Sequence, residues 1–402
     1  MLDKKVFGTL FFSIFAAVTG VGIVVPLLPV YAHDLGASGL YIGLIFGAFS
    51  LSRTVFLPYF GRLSDRKGRK PIIVAGLLCY ALISIAFVFS EDVEGLIFIR
   101  FIQGIASAMI MPVTQAYVGD ITPEGREGFT MGMFNMSVFL GLSIGPLVGG
   151  VVGDRFSLNA AFGSMGFLAF CGFLLSFFLL PETKSEKVIS QGKAPTGWKG
   201  LLRDPEIVGL SLFRLAYTTC IGIIWGFMPI YASVEFSLSS SAIGILVMLA
   251  VFVSGLIHTP MGLLADRVNR NMLVLIGGII TVCSIFSFEL AKGFWDLFWA
   301  NVLFGIGGGI SMPALMALAV LKGNKTDSMG SVMAILTMAH SLGMLIGSLV
   351  AGLTMDIFQL RHAFTAGWVI MILGMALFSY FICFKKAPVL APKSENLPSA
   401  HP

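Results

Sequence analysis

The 402-residue sequence predicts an all-α integral membrane protein: twelve transmembrane helices in two six-helix bundles that run the same way through the bilayer. Three observations predict it: an apolar composition, twelve runs long enough to cross a membrane, and an internal repeat. Hydrophobic residues make up 56% of the chain and charged residues 12%, where a soluble domain carries about 25% charged. With a mean hydropathy of +0.92, the chain must have lipid as its solvent.

A transmembrane helix needs about 20 mostly apolar residues. Six such spans fall near 6–31, 40–60, 71–89, 96–118, 129–151 and 160–180. The first follows Lys4 and Lys5 and resembles a signal peptide, but its apolar run is too long and its counterpart recurs at the head of the second set. The second stops at GRLSDRKGRKP (61–71), which reads as the loop to the third. The fourth carries Arg100, the fifth a row of glycines. A polar, basic stretch, 181–206, then separates a second set near 207–231, 242–264, 272–290, 295–320, 329–353 and 363–384. The expected division is a bundle over 1–180, a linker over 181–206, a bundle over 207–384 and a tail over 385–402.

Charge placement fixes the expected orientation. Segments on the side of the chain ends hold 20 of the 26 Lys and Arg; the opposite loops hold only Arg155, Lys292 and Arg361. Cytoplasmic loops carry the basic excess, so both ends are expected in the cytoplasm of a bacterial inner membrane. That bias accounts for the net charge of +5 without a nucleic-acid partner. The five cysteines stand singly in apolar runs, so neither a disulfide framework nor a metal site is indicated.

The two sets repeat one another. GIVVPLLPVYA (22–32) aligns with GIIWGFMPIYA (222–232), Asp65-Arg66 with Asp266-Arg267, and GPLVGGVVGDRFSLNAAF (145–162) with GSLVAGLTMDIFQLRHAF (347–364). A parallel repeat of this kind suits a carrier whose halves rock about a central site.

Three motifs then match a family. Gly61, Leu63, Asp65, Arg66, Gly68, Arg69 and Lys70 complete Gly-x-Leu-x-Asp-Arg-x-Gly-Arg-Lys between the second and third spans. In the fourth, LIFIRFIQGIASA (96–108) sets Arg100, Gln103 and Gly104; in the fifth, Gly141, Gly145, Pro146, Gly149 and Gly150 meet Gly-x-x-x-Gly-Pro-x-x-Gly-Gly. On these residues the chain resembles the major facilitator superfamily, within it the twelve-helix drug:proton antiporters of the multidrug and tetracycline-exporter type.

The resemblance implies a cytoplasmic gate of Gly61, Asp65, Arg66, Gly68 and Arg69 with Asp120, Arg126 and the repeat mates Asp266 and Arg267, closed when the carrier faces outward. The alternative is that the basic loop only sets topology. For Arg100, Gln103 and Gly104 it implies proton coupling or bracing of the first helix; a snorkelling arginine is the alternative. For the fifth-span motif it implies an exporter and a seal between the fifth and eighth spans, against plain packing.

An arginine within a span costs about 2.5–3.5 kcal/mol and should face the protein interior. Arg53 lies within snorkelling reach of the cytoplasmic interface and reads as structural, whereas Arg214 lies on a cavity-lining span of this fold. Further cavity candidates are Pro26, Pro29, Met109, Tyr217, Trp225, Asn301 (the repeat mate of Arg100) and Met312. No Asp or Glu lies deep in any span, and Ala17 stands where the tetracycline exporters place an acid. Asp34, His258 and His340 remain as proton carriers; histidine changes charge between about pH 5 and 8.

The expected function is export of small hydrophobic or amphipathic compounds in exchange for protons, by a monomer without cofactor. Arg100 and Arg214 without a deep carboxylate motivate an organic-anion carrier as the alternative; a transporter-like sensor is a second. No nucleophile–base grouping, metal cluster or phosphate-cradling loop suggests an enzyme.

Overall fold

A computed structural model of the chain describes residues 4–122, 127–182, 198–265, 267–326 and 329–384. Twelve helices in it are long and apolar enough to cross a membrane. In order they are α1 (Lys4–Asp34), α2 (Gly39–Lys67), α3 (Arg69–Val88), α4 (Val93–Asp120), α5 (Glu127–Arg155) and α6 (Leu158–Leu179) in the first half. The second half holds α7 (Pro205–Phe236), α8 (Ser240–Ala265), α9 (Arg270–Glu289), α10 (Phe294–Lys325), α11 (Met329–Ile357) and α12 (His362–Ser379). One turn at Trp198–Leu201 precedes α7, and Asp204 caps it by accepting from the Glu206 and Ile207 amides.

Most helices outrun the apolar spans, because backbone bonding continues after hydrophobicity stops. The stretch expected to be a loop, GRLSDRKGRKP, is helix on both sides of one residue: α2 runs through Lys67 and α3 starts at Arg69. The turn is Gly68 alone, at φ 92°, a backbone conformation that only glycine adopts without strain.

Within the first half α1 packs on α5 and α6, and α2 on α4; in the second, α7 packs on α11 and α12, and α8 on α10. The halves meet along two seams, α5 with α8 and α2 with α11. Small residues let the backbones approach there. A Cβ on Gly244 of α8 would strike the Pro146 carbonyl of α5, and one on Gly43 of α2 would strike the Ser348 carbonyl of α11. Gly150 lies against Ser240, and Gly39 against Gly352. Among the described residues, the close approaches of glycine to the other half cluster toward the face remote from the chain ends.

One carboxylate finishes each seam at that face. Asp154, in the last turn of α5, accepts the Ser240 and Ser241 amides at the start of α8, at 3.0 and 2.7 Å. Asp356, in the last turn of α11, accepts the Gly39 and Leu40 amides at the start of α2, at 2.6 and 2.8 Å. Each anion satisfies two orphan donors of a helix N-terminus and meets its positive dipole end. The two clasps are repeat mates, and both join the halves at the far face.

Candidate substrate cavity

Behind the clasps, between the halves, lies a cavity of about 590 Å³. Its walls are apolar and aromatic. Phe49 and Phe139 come from the first half, and Trp225 with the stacked Tyr217–Phe304 pair (5.6 Å between centroids) from the second. Met111, Met312, Met316 and Met344 fill between them; thioethers adapt to varied ligand shapes.

The ionisable nitrogen groups in these walls are two arginines and two histidines. Arg53 enters from α2, Arg214 from α7, His258 from α8 and His340 from α11, with Gln115 and Asn135 as neutral amides. Among the described residues, no Asp or Glu lines the cavity. Arg53 makes no described hydrogen bond and its Nε is buried without a partner. Arg214 Nη1 lies 2.7 Å from Met312 Sδ, a weak acceptor. His340 Nδ1 is also buried and unpartnered, and the His258 ring lies 5.5 Å from that of Phe139.

Of the sequence candidates for the cavity, Arg214, Tyr217, Trp225 and Met312 reach it. Pro26, Pro29 and Asn301 do not: they sit beyond the cavity toward the closed face, and Asn301 turns its amide back onto the Leu297 carbonyl (2.8 Å). Met109 lies against Gly76 of α3; Met111, two residues on and so on the opposite face of α4, lines the cavity instead. Asp34 stands at the end of α1 with its side chain 71% exposed, beside His33 and away from the cavity.

Arg53 corrects the structural reading given it from sequence: it faces the cavity. Arg100 corrects the other way. Only 5% exposed, it donates to Gln103 Oε1 (2.6 Å) and the Ile45 carbonyl (3.4 Å), and lies over the rings of Phe46 and Phe49. It braces α4 on α2, not on α1 as expected, and does not line the cavity. Gly104 permits the same contact, since a Cβ there would strike Ser52. The fifth-span glycines are likewise redistributed. Gly141, Gly145 and Gly149 lie on the α1 backbone at Phe15, Thr19 and Ile23, so the seam with α8 is left to Gly150 and Pro146.

At the face of the chain ends, Arg69 donates to Asp120 Oδ2 (3.0 Å) and to Ser64 Oγ (2.7 Å), tying α2, α3 and α4 within one half. Arg66 and Arg267 are exposed there, while Gly61 has open space around it. The Asp65 side chain, Arg126 and Asp266 lie outside the described residues, as do 183–197 of the linker and the tail from 385. Sequence reading missed a second cluster at this face: Lys322 of α10 pairs with Asp204 (2.8 Å) and Glu206 (2.6 Å) at the start of α7. It also missed both clasps, although their aspartates align in the repeat already noted.

Two six-helix membrane bundles around a chamber shut at one face make a membrane transporter. The model of the Major Facilitator Superfamily matches residues 10–234 and 210–401, and the chain belongs to that family. It is 29% identical over 367 residues to an uncharacterized MFS-type transporter of Methanocaldococcus jannaschii, covering 90% of this chain and 94% of that one. It is 26% identical over 383 residues to Multidrug resistance protein 2 of Bacillus subtilis, covering 93% and 94%. In fold it resembles a bacterial homologue of the human lysosomal transporter Spinster, in an inward-facing and unoccupied conformation, at TM-score 0.83 and 14% identity over 94% and 97% of the two chains. The chain is thus a multi-pass cell-membrane transporter with multidrug-type relatives.

Proposed function

We propose that this transporter exports small amphipathic compounds from the cytoplasm by alternating access, with both chain ends on the cytoplasmic side. The observation that carries the reading is the aromatic and methionine-walled cavity between two halves that, among the described residues, are clasped at one face. The basic bias of the loops supports an outside position for the clasped face, and the resistance function named for the Bacillus relative supports export. Protons are exchanged in return through His258 and His340, the imidazoles in the cavity wall.

The test is reconstitution of the full chain in liposomes with a trapped pH dye, adding a panel of lipophilic cations, neutral compounds and organic anions. Saturable flux that moves protons in the wild type is the expected outcome. In His258→Gln and His340→Gln together, downhill flux should persist and proton movement should stop. Flux whose proton movement survives the double substitution removes the histidines from the mechanism; no flux of any panel member sinks the transport reading.

A further inference from the structure

The chamber that this reading uses has a charge sign. Two guanidiniums enter it from opposite halves, Arg53 on α2 and Arg214 on α7. His340 of α11 lines the same chamber wall. The described groups lining the chamber include two tyrosines, Tyr80 and Tyr217, and two amides, but no carboxylate.

A buried arginine is normally paired, because an unpaired buried charge is costly. Arg100 in the same protein shows the paired condition: an amide oxygen, a carbonyl and two aromatic faces surround it. Arg53 has no hydrogen bond at all among the described residues, and Arg214 has a thioether. A buried Nε without a partner on Arg53, and a guanidinium with only a thioether on Arg214, both in the cavity wall, are what an absent acceptor leaves behind. The repeat sharpens the point. The mate of Arg53 is Ser254 and that of Arg214 is Ile14, and both mates also line the chamber. The basic groups were therefore not needed to build the bundle; the other half builds the same wall without them.

We propose that the substrates are organic anions: an apolar, preferably aromatic, body lying on Phe49, Phe139, Trp225 and Phe304, and a carboxylate, sulfonate or phosphate head drawn to Arg53 and Arg214. The proposal rests on the transport reading for its setting, but it concerns binding. The anion completes the hydrogen bonding of both guanidiniums and links the two halves through a ligand. A cationic drug of the same shape meets two like charges and leaves them unpaired.

The test is isothermal titration calorimetry on the purified full chain in detergent with three probes sharing one skeleton: 4-phenylbutyrate, 4-phenylbutyramide and 4-phenylbutylamine. At pH 7 the acid should bind about tenfold or more tighter than the amide, as charge-assisted hydrogen bonds allow, and the amine more weakly than either. Arg53→Gln and Arg214→Gln should each reduce the preference for the acid, and the pair should abolish it. Arg53→Lys and Arg214→Lys should keep part of it, a rescue that a purely structural role does not produce. Amine binding as tight as acid, no acid binding, or a preference surviving in the double Gln variant overturns the proposal. If the Gln variants do not fold, the wild-type ranking of the three probes decides alone. Tight, arginine-dependent acid binding without flux in liposomes would sink the transport reading and leave the anion assignment intact. Flux of amines without acid binding would do the reverse.

Discussion

Arg100 and Arg53 stand on neighbouring helices, and their guanidiniums have opposite surroundings. Removing Arg100 leaves the Gln103 side chain, itself fully buried, without its charged donor. Arg100→Ala should therefore lower unfolding stability in detergent by about 1–3 kcal/mol, read as a fall in melting temperature, with ligand affinity of the folded protein unchanged. Arg53→Ala removes a group with nothing to lose and should leave the melting temperature level or raised. A drop as large as that of Arg100→Ala would make Arg53 a brace instead. Sequence could not separate the two. In a soluble helix a polar stripe marks the solvent face, but here lipid-facing and core-facing residues are both apolar, so the periodicity that would aim a side chain is nearly absent. Arg214, Tyr217 and Trp225 of α7 and Met312 of α10 were found because these two helices line the cavity in the family pattern; Met109 and Pro26 fail on direction and depth, which that pattern does not specify.

At the scale of helices, every span was legible because twenty consecutive apolar residues have few other uses. Their ends were not. Hydropathy reports where lipid stops, whereas helix stops at a backbone signal, and in α2 that signal is Gly68, eight residues beyond the end expected from apolarity. The clasps show another blind spot: Asp154 and Asp356 bind main-chain amides, so no partner side chain advertises them. Each should bias the closed far face by about 0.5–2 kcal/mol, or about two- to thirtyfold. The check is the distance between spin labels at Phe156 and Phe358, exposed residues just past α5 and α11. Asp154→Asn with Asp356→Asn should enlarge the long-distance population, and each single change should do so less. A distribution unmoved by the double substitution would show that packing alone shuts this face.

For the whole molecule, an anionic cargo has a driving force of its own. A single charge crossing the full potential is worth about 2.3 kcal/mol per 100 mV, and an inside-negative membrane expels anions. In proteoliposomes loaded with 4-phenylbutyrate, a potassium diffusion potential set inside-negative with valinomycin should accelerate efflux, while efflux of the amide should not respond. Equal responses of acid and amide would mean that the cargo carries no charge through the protein. The absence of any deep carboxylate, which made proton exchange hard to place from sequence, is less awkward for a carrier whose cargo the field already moves.

The clasps also carry a record of origin. Asp154 of the first half holds the second, and Asp356 of the second holds the first, each by the same atoms at the same register. Reciprocity of this kind is the signature of an isologous interface, the self-complementary contact of a twofold dimer. A six-helix ancestor carrying one such aspartate and one such helix start would pair with its own copy by this seam before the two genes were joined. Fusion then freed each half to differ, and the seam and the cavity used that freedom unequally. The seam kept its symmetry, while the chamber acquired an arginine where its twin has Ser254 and another where its twin has Ile14.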